Sequence, residues 1–285
     1  MLSFFKRYKF HHTPKQPHHY PFSFMTVCEH LAPMSKGAFE LADQSLENAS
    51  EWLYQQHDHA TAANFGHFSH SKLESGEFQE ALSLSLSRHS IPVLVSNCTE
   101  AILSMLPVVV SYRDEVGIVN IGHKMSLKPT LEPRMGSAFH FALSRYQNVR
   151  LFFAGVSEQD TKQETLEYAE DQGCDWVTDR EFTFRHRNHV KQQISNYLDH
   201  CDQIIVTIDL GSLSTKNNLE GTPSLDIQMV LRTLRLCLVS GKVKAIQLVG
   251  DRDRLVYSRQ TKAILEECIR WLPARPRSVA NHCTE

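Results

Sequence analysis

The sequence predicts a single α/β domain built around a mainly parallel β-sheet. Short apolar and β-branched runs alternate with longer amphipathic runs along most of the chain, which is the pattern of strands followed by helices. The apolar runs are nearly continuous, as is typical of parallel strands that helices cover on both faces. No linker interrupts this pattern, so we expect one folded unit over residues 31–273.

The individual elements follow from these runs and from the residues that punctuate them. Strands are predicted at 91–95, 116–121, 149–154, 203–209 and 244–249. Helices are predicted at 37–57, 76–88, 99–110, 137–146, 160–172, 187–200, 225–240 and 258–272. Gly76 and Gly241 stand at predicted helix boundaries, and Pro107 and Pro273 stand near predicted helix ends. In such sheets ligands bind at the carboxyl ends of the strands, so those ends hold the candidate functional residues.

Composition excludes several classes of function. The 285 residues carry a net charge of −2, which gives no overall reason to expect nucleic acid or an anionic membrane as a partner. The longest apolar run, 102–110, is too short to span a bilayer. Seven scattered cysteines without a Cys-x-x-Cys pair argue against a disulfide framework or a thiolate zinc site. With no secretory signal at 1–10, we expect a cytoplasmic protein.

The two ends of the chain are predicted to lie outside the domain. Residues 1–30 read as an aromatic, basic and His-rich arm, and residues 274–285 read as a tail. The arm could load a metal through its clustered imidazoles, although an extended arm packed on a neighbour is the favoured interpretation. Its histidines are His11, His12, His18 and His19. A second His-rich stretch, with His57, His59, His67 and His70, is expected to be a surface loop.

Several segments follow one another in a specific order around the predicted strands. They are 91–94 (Ile-Pro-Val-Leu), 119–121 (Val-Asn-Ile) with 127–129 (Leu-Lys-Pro), 155–158 (Gly-Val-Ser-Glu), 207–210 (Thr-Ile-Asp-Leu), 221–223 (Gly-Thr-Pro) and 240–243 (Ser-Gly-Lys-Val). As an ordered set over about residues 35–272, they resemble the ureohydrolase (arginase) family, and most closely its formimidoylglutamase branch.

The resemblance implies a three-layer α/β/α arginase-like fold and hydrolysis of guanidino or formimino groups. It also implies two Mn(II) ions that bridge a hydroxide, held by two His and four Asp, because manganese prefers carboxylate oxygens supplemented by imidazole. Members of the family are commonly oligomeric, so a homo-oligomer is the partner that the resemblance suggests.

The positions that match the family's metal ligands depart from this pattern. They carry Cys98, Gly122, Lys124, Ser126, Asp209 and Gly211, and the segment after the last strand carries Gly250. Among the six, only Asp209 keeps a metal-binding type at its aligned position. We therefore expect that the manganese pair is absent and that no cofactor is bound. The site residues would then be former ligand positions without a catalytic residue.

The residues that remain suggest how the old pocket could be filled. The Lys124 ammonium could replace the metal by pairing with Asp209, because buried charges need a partner. An exposed Lys124 is an equal alternative. Asn97 and His123 would complete the pocket, although strand alternation would turn His123 away from Lys124 and make it a buried histidine rather than a ligand. Cys98 is interpreted as a small buried residue.

Three functional hypotheses remain open. The first is a catalytically inactive ureohydrolase-fold protein that acts by binding in a regulatory or protein-interaction role, because function resides in a site grafted on a scaffold. The second is an active C–N hydrolase of the formimidoylglutamase type, which requires His123, Cys98 and Asp209 to converge on an altered metal site. The third is a small-molecule sensor that uses the former substrate pocket.

Two charged runs could bind anions. The run 180–187 combines arginines with aromatics, as some nucleic-acid sites do, but one such run on a slightly acidic chain does not lead us to expect nucleic acid. The run 251–254 (Asp-Arg-Asp-Arg) could bind a small anion and is more readily interpreted as a solvated loop or a subunit contact. Neither a dinucleotide fingerprint nor a P-loop is present, and Ser212 has no readable triad.

Overall fold

The computed structural model describes residues 21–55, 62–213 and 224–271. Several sequence-based expectations lie outside these ranges. They concern His11, His12, His18, His19, His57, His59, the segment 221–223 and the tail 274–285.

The described residues form one eight-stranded sheet in which every neighbouring pair is parallel. The strand order across the sheet is β2-β1-β3-β8-β7-β4-β5-β6. The strands are β1 Phe22–Val27, β2 Ala62–Phe68, β3 Ile91–Ser96, β4 Val116–Ile121, β5 Val149–Val156, β6 Asp175–Thr178, β7 Gln203–Asp209 and β8 Val243–Val249. All eight carboxyl ends therefore lie along one edge of the sheet.

Of the ten described helices, eight lie between successive strands and two follow β8. They are α1 Lys36–Gln55, α2 His70–Glu74, α3 Glu77–Ser87, α4 Ile102–Val109, α5 Ala138–Arg145, α6 Gln163–Asp171, α7 Arg187–Asp199, α8 Ile227–Val239, α9 Asp253–Val256 and α10 Arg259–Arg270. Short 3-10 turns precede α4 and α7 and follow β7. The five sequence-predicted strands and eight sequence-predicted helices each match one of these elements to within a few residues.

The helices divide between the two faces of the sheet. One buried cluster joins α1, α7, α8, α9 and α10 to one face, and a second joins α2 to α6 to the other. In β4, Val119 and Ile121 belong to the first cluster, while Val116 and Ile118 belong to the second. This alternation explains why the strand sequences are apolar at nearly every position. The expected three-layer α/β/α architecture is confirmed.

Three strands were not expected from the sequence. Strand β1 lies inside the range 1–30 that the sequence assigned to an arm, and all six of its residues are buried. Its Phe22 and Phe24 enter one cluster and Met25 and Val27 the other, so β1 belongs to the core. Strands β2 and β6 form the two edges of the sheet. His67, expected in a loop, lies in β2 and bridges Thr26 and Asp43, with 2.9 Å to each partner.

The six cysteines that the structure describes are free and buried. They are Cys28, Cys98, Cys174, Cys201, Cys237 and Cys268. Over the described ranges, no helix is both long and apolar enough to cross a membrane.

Candidate functional site at the carboxyl edge of the sheet

Asp209, the last residue of β7, is held by its own neighbours in the chain. Its Oδ1 accepts a hydrogen bond from the Gly211 backbone N–H at 2.9 Å, and its Oδ2 accepts from the Ser212 hydroxyl at 2.7 Å. Ser212 in turn accepts from the backbone N–H of His123 at 3.0 Å. Both carboxylate oxygens therefore have a partner within the protein, and the turn after β7 is fastened to the turn after β4.

Gly122 lies directly against Asp209. A Cβ atom built at Gly122 would stand 2.9 Å from the Cβ of Asp209 and 3.5 Å from the Ser212 hydroxyl oxygen. Real Cβ atoms do not approach a side-chain carbon that closely, so any larger residue here would push β4 and β7 apart. The space in which the resemblance places a ligand side chain is filled by the packing of the two turns.

His123 turns inward, as expected for a buried histidine, and Lys124 turns outward, which is the exposed alternative to an ion pair. The His123 Nδ1 lies 3.2 Å from the carbonyl oxygen of Gly155, and because a carbonyl only accepts, Nδ1 carries the proton. The Nε2 atom is buried without a hydrogen-bond partner. Lys124 is exposed and, among the described residues, forms no ion pair with Asp209. Of the two alternatives for Lys124, the ion pair with Asp209 is therefore not formed and the exposed side chain is found.

The physical reason is that β4 ends at Ile121. Residues beyond it no longer follow the alternation of a strand, so alternation could not assign the faces of residues 122–126. Ser126 has a left-handed backbone with φ of 47°, and its carbonyl accepts from the Phe139 N–H at 3.0 Å. Ser126 therefore serves the connection to α5.

Asn97 and Cys98 follow β3 and bind the turn after β1. The Asn97 side chain accepts from the Glu29 N–H at 2.9 Å and donates to the Glu29 carbonyl at 2.7 Å. The Cys98 thiol is directed at the Glu29 carboxylate, with 3.8 Å between Sγ and Oε2. Burial raises the pKa of this thiol well above its usual value, and Glu29 and Glu100 raise it further. Cys98 is therefore a protonated thiol.

Glu29 is a perturbed carboxyl that the sequence did not single out. Burial raises its pKa from the usual 4.5 to about 7, and Glu100 adds to the increase, whereas hydrogen bonds from Ser104 and Cys98 act in the opposite direction. The Ser104 hydroxyl donates to Oε1 at 3.1 Å. A carboxyl with a pKa near neutrality at the mouth of a sheet could exchange a proton with a ligand.

Glu100 holds the loop that leads into α5. Its buried carboxylate oxygen Oε1 accepts from three consecutive backbone N–H groups, those of Gly136 at 2.7 Å, Ser137 at 3.0 Å and Ala138 at 3.2 Å. The first turn of a helix leaves such groups without partners, and a carboxylate suits them by charge. This contact fixes the loop across the carboxyl edge.

A row of buried polar side chains crosses the centre of the sheet just below this edge. The Thr207 hydroxyl on β7 donates to Asn120 Oδ1 on β4 at 2.7 Å. On β8 the Gln247 amide donates to the Ser96 hydroxyl at 2.8 Å and to the Cys98 carbonyl at 3.1 Å. The remaining oxygen of Gln247 is buried without a partner.

The donor set does not fit the manganese pair that the resemblance implies. Manganese prefers several carboxylate oxygens with imidazole as a supplement. Within residues 21–55, 62–213 and 224–271, no group of three or more His, Cys, Asp or Glu side chains converges as a metal site would require. The convergence of His123, Cys98 and Asp209 required by the active-hydrolase hypothesis is accordingly not found.

No family model and no curated protein matches this sequence. Solved structures do match the fold. A formiminoglutamase variant from Trypanosoma cruzi with Mn²⁺ is 13% identical, with 92% of this chain and 97% of that chain covered and a TM-score of 0.70. An agmatine ureohydrolase of Thermoplasma volcanium is 11% identical, with 90% and 92% covered and a TM-score of 0.69.

A formimidoylglutamase from Bacillus subtilis is 15% identical, with 88% of this chain and 87% of that chain covered and a TM-score of 0.66. The chain has the fold of these ureohydrolase structures. The fold that the ordered segments implied is thus confirmed over most of the length of both chains. At this level of identity the similarity concerns the fold alone, and the chemistry has to be argued from the residues of this chain.

Proposed function

We propose that this chain belongs to the ureohydrolase family as a member that has lost the binuclear manganese site and acts by binding. The observation that carries the proposal is the contact between Gly122 and Asp209. A carboxylate at position 122 does not fit against Asp209, and Asp209 already uses both of its oxygens within the protein. The other aligned positions carry a protonated thiol, an exposed lysine, a serine and a glycine.

The role that follows is regulatory or protein-interacting, and a homo-oligomer is the assembly we propose for it. Hydrogen bonds join the turns at the carboxyl edge to one another. These bonds support a scaffold that holds together without metal ions between the turns. Sedimentation at several concentrations measures the assembly, and a monomer at all of them would contradict the oligomer.

A metal-loading experiment tests the loss of the site. The protein is expressed and purified with added manganese and dialysed, and bound metal is measured by elemental analysis. We expect less than one ion per chain and the same value for Asp209→Ala, together with no hydrolysis of arginine, agmatine or formimidoylglutamate. Two ions per chain that disappear in Asp209→Ala would overturn the proposal.

A small-molecule sensor is the second candidate, and His123 is the observation that favours it. Its Nε2 is a buried acceptor without a partner, and leaving such an atom unpaired costs free energy that a ligand donor would recover. Thermal unfolding with glutamate-like and guanidino compounds tests this candidate, because a ligand that binds only the folded state raises the melting temperature. If no compound raises it, the sensor is refuted.

A further inference from the structure

Two arginines lie against one exposed aromatic ring, and none of these three residues is among the positions aligned with metal ligands. Phe184 lies in the 3-10 turn before α7, and its side chain is 47% exposed. The guanidinium carbon of Arg187, the first residue of α7, lies 4.5 Å from the ring centroid. The guanidinium carbon of Arg232, on α8, lies 5.0 Å from the same centroid.

The ring and the backbone position both cations. A guanidinium over an aromatic face is attracted by the ring and keeps its in-plane N–H groups available. Arg187 is fixed further, because its Nη1 donates to the Phe184 carbonyl at 3.1 Å. Both guanidinium carbons are measured from the same ring centroid. The distance between the two carbons is therefore at most the sum of the two centroid distances.

Neither cation has an acidic partner among the described residues. The carboxylate of Glu181, near this turn in the chain, accepts instead from the backbone and hydroxyl of Thr178, at 3.0 and 3.1 Å. From Phe182 to Leu198 the sequence contains no acidic residue and adds Arg185 and Lys191. Among the described residues, the two positioned guanidinium groups beside Phe184 therefore carry positive charge that no ion pair compensates.

We infer that Arg187 and Arg232 form a binding site for linked phosphate groups, with Phe184 as the platform. Arginine binds phosphate through two parallel N–H···O bonds, and two neighbouring guanidiniums can engage two linked phosphates at once. A single carboxylate or orthophosphate offers fewer acceptor oxygens and less charge than a diphosphate, so it should bind this pair more weakly. The inference goes beyond the proposed function and does not depend on the loss of hydrolysis.

Calorimetric titration of the full chain with inorganic pyrophosphate, at constant ionic strength near 0.15 M, tests the inference. Arg187→Gln and Arg232→Gln should each weaken pyrophosphate binding about tenfold, because each variant loses one pair of charged N–H···O hydrogen bonds to phosphate. Phe184→Leu should weaken it at unchanged charge. Orthophosphate should bind more weakly than pyrophosphate.

Arg145→Gln is the matched control, because Arg145 also stacks on a phenylalanine, with 5.1 Å to the Phe141 centroid, and the charge change is the same. It should bind pyrophosphate like the wild type, and circular dichroism should show all variants folded. Binding of ADP would show that the phosphates of a nucleotide are accepted; its failure beside a positive pyrophosphate result would identify a free diphosphate. The inference is overturned if pyrophosphate does not saturate the wild type, if Phe184→Leu binds unchanged, or if Arg145→Gln loses as much affinity.

Discussion

Replacing Glu29 by Gln should change the pH dependence of stability in a defined window. The folded chain holds the Glu29 proton with a pKa of about 7, against 4.5 for an ordinary carboxyl. Between these values the folded state binds more protons than the unfolded state, so the free energy of unfolding falls as pH rises. Below about pH 4.5 the contribution of the group is fully present, and it is lost as pH rises through about 7.

The size of the effect follows from the shift. Each pKa unit corresponds to about 1.4 kcal/mol, so the wild type should lose roughly 3 kcal/mol from this group between about pH 4 and pH 8. Glutamine cannot ionise and can keep the Ser104 contact. The difference in unfolding free energy between Glu29→Gln and the wild type should therefore move by that amount in favour of the variant.

Urea unfolding at four pH values across this window measures the difference. Because all other groups are common to both proteins, only the difference between the two unfolding free energies is interpreted. Glu132→Gln, at an exposed carboxyl in the loop before α5, is the control and should keep a nearly constant difference from the wild type. If the two variants show the same pH dependence, Glu29 does not have the raised pKa.

Three further substitutions test the packing of the carboxyl edge. Gly122→Ala should destabilise by about 1–3 kcal/mol through its clash with Asp209, whereas Gly37→Ala, which meets nothing within 4 Å, should be neutral or slightly stabilising in urea unfolding. Glu100→Ala should cost about 2–4 kcal/mol and speed hydrogen exchange at Gly136 and Ala138, because their N–H groups lose this acceptor, whereas the Ser137 N–H keeps the Arg134 carbonyl. Ser212→Ala should cost about 1–3 kcal/mol, since an oxygen of Asp209 and a backbone N–H lose their partner. An unchanged unfolding midpoint would contradict the clash predicted for Gly122→Ala, or the hydrogen bonds that Glu100→Ala and Ser212→Ala are predicted to remove.

The strands at the centre of the sheet could be predicted because burial on both faces requires a nearly continuous run of apolar residues in the sequence. The missed strands lack that signature. In β1, Ser23 and Thr26 interrupt the run, and the preceding prolines and histidines suggest an arm. Strand β2 includes Asn64, Gly66 and His67, which its position at the edge of the sheet tolerates, and β6 has four residues.

The sequence could predict that candidate residues lie at the strand ends, but it could not predict the contacts between them. Cys98, Gly122 and Asp209 lie at or just after the ends of β3, β4 and β7. The contact of Glu29 with Cys98 depends on the pairing of β1 with β3, which no local pattern reveals. The orientation of His123 and Lys124 depends on where β4 ends, and Gly122 became informative only once its distance to Asp209 was known.

The buried amides of Asn120 and Gln247 have a consequence for how the strands find one another. Apolar parallel strands could slide past each other with little loss of hydrophobic burial. Asn120 lies opposite Thr207, and Thr207 lies opposite Gln247, in three adjacent strands. A slip by one residue would send these side chains to opposite faces of the sheet and leave their polar atoms buried without hydrogen-bond partners. The amides therefore favour the native register of the strands over registers shifted by one residue.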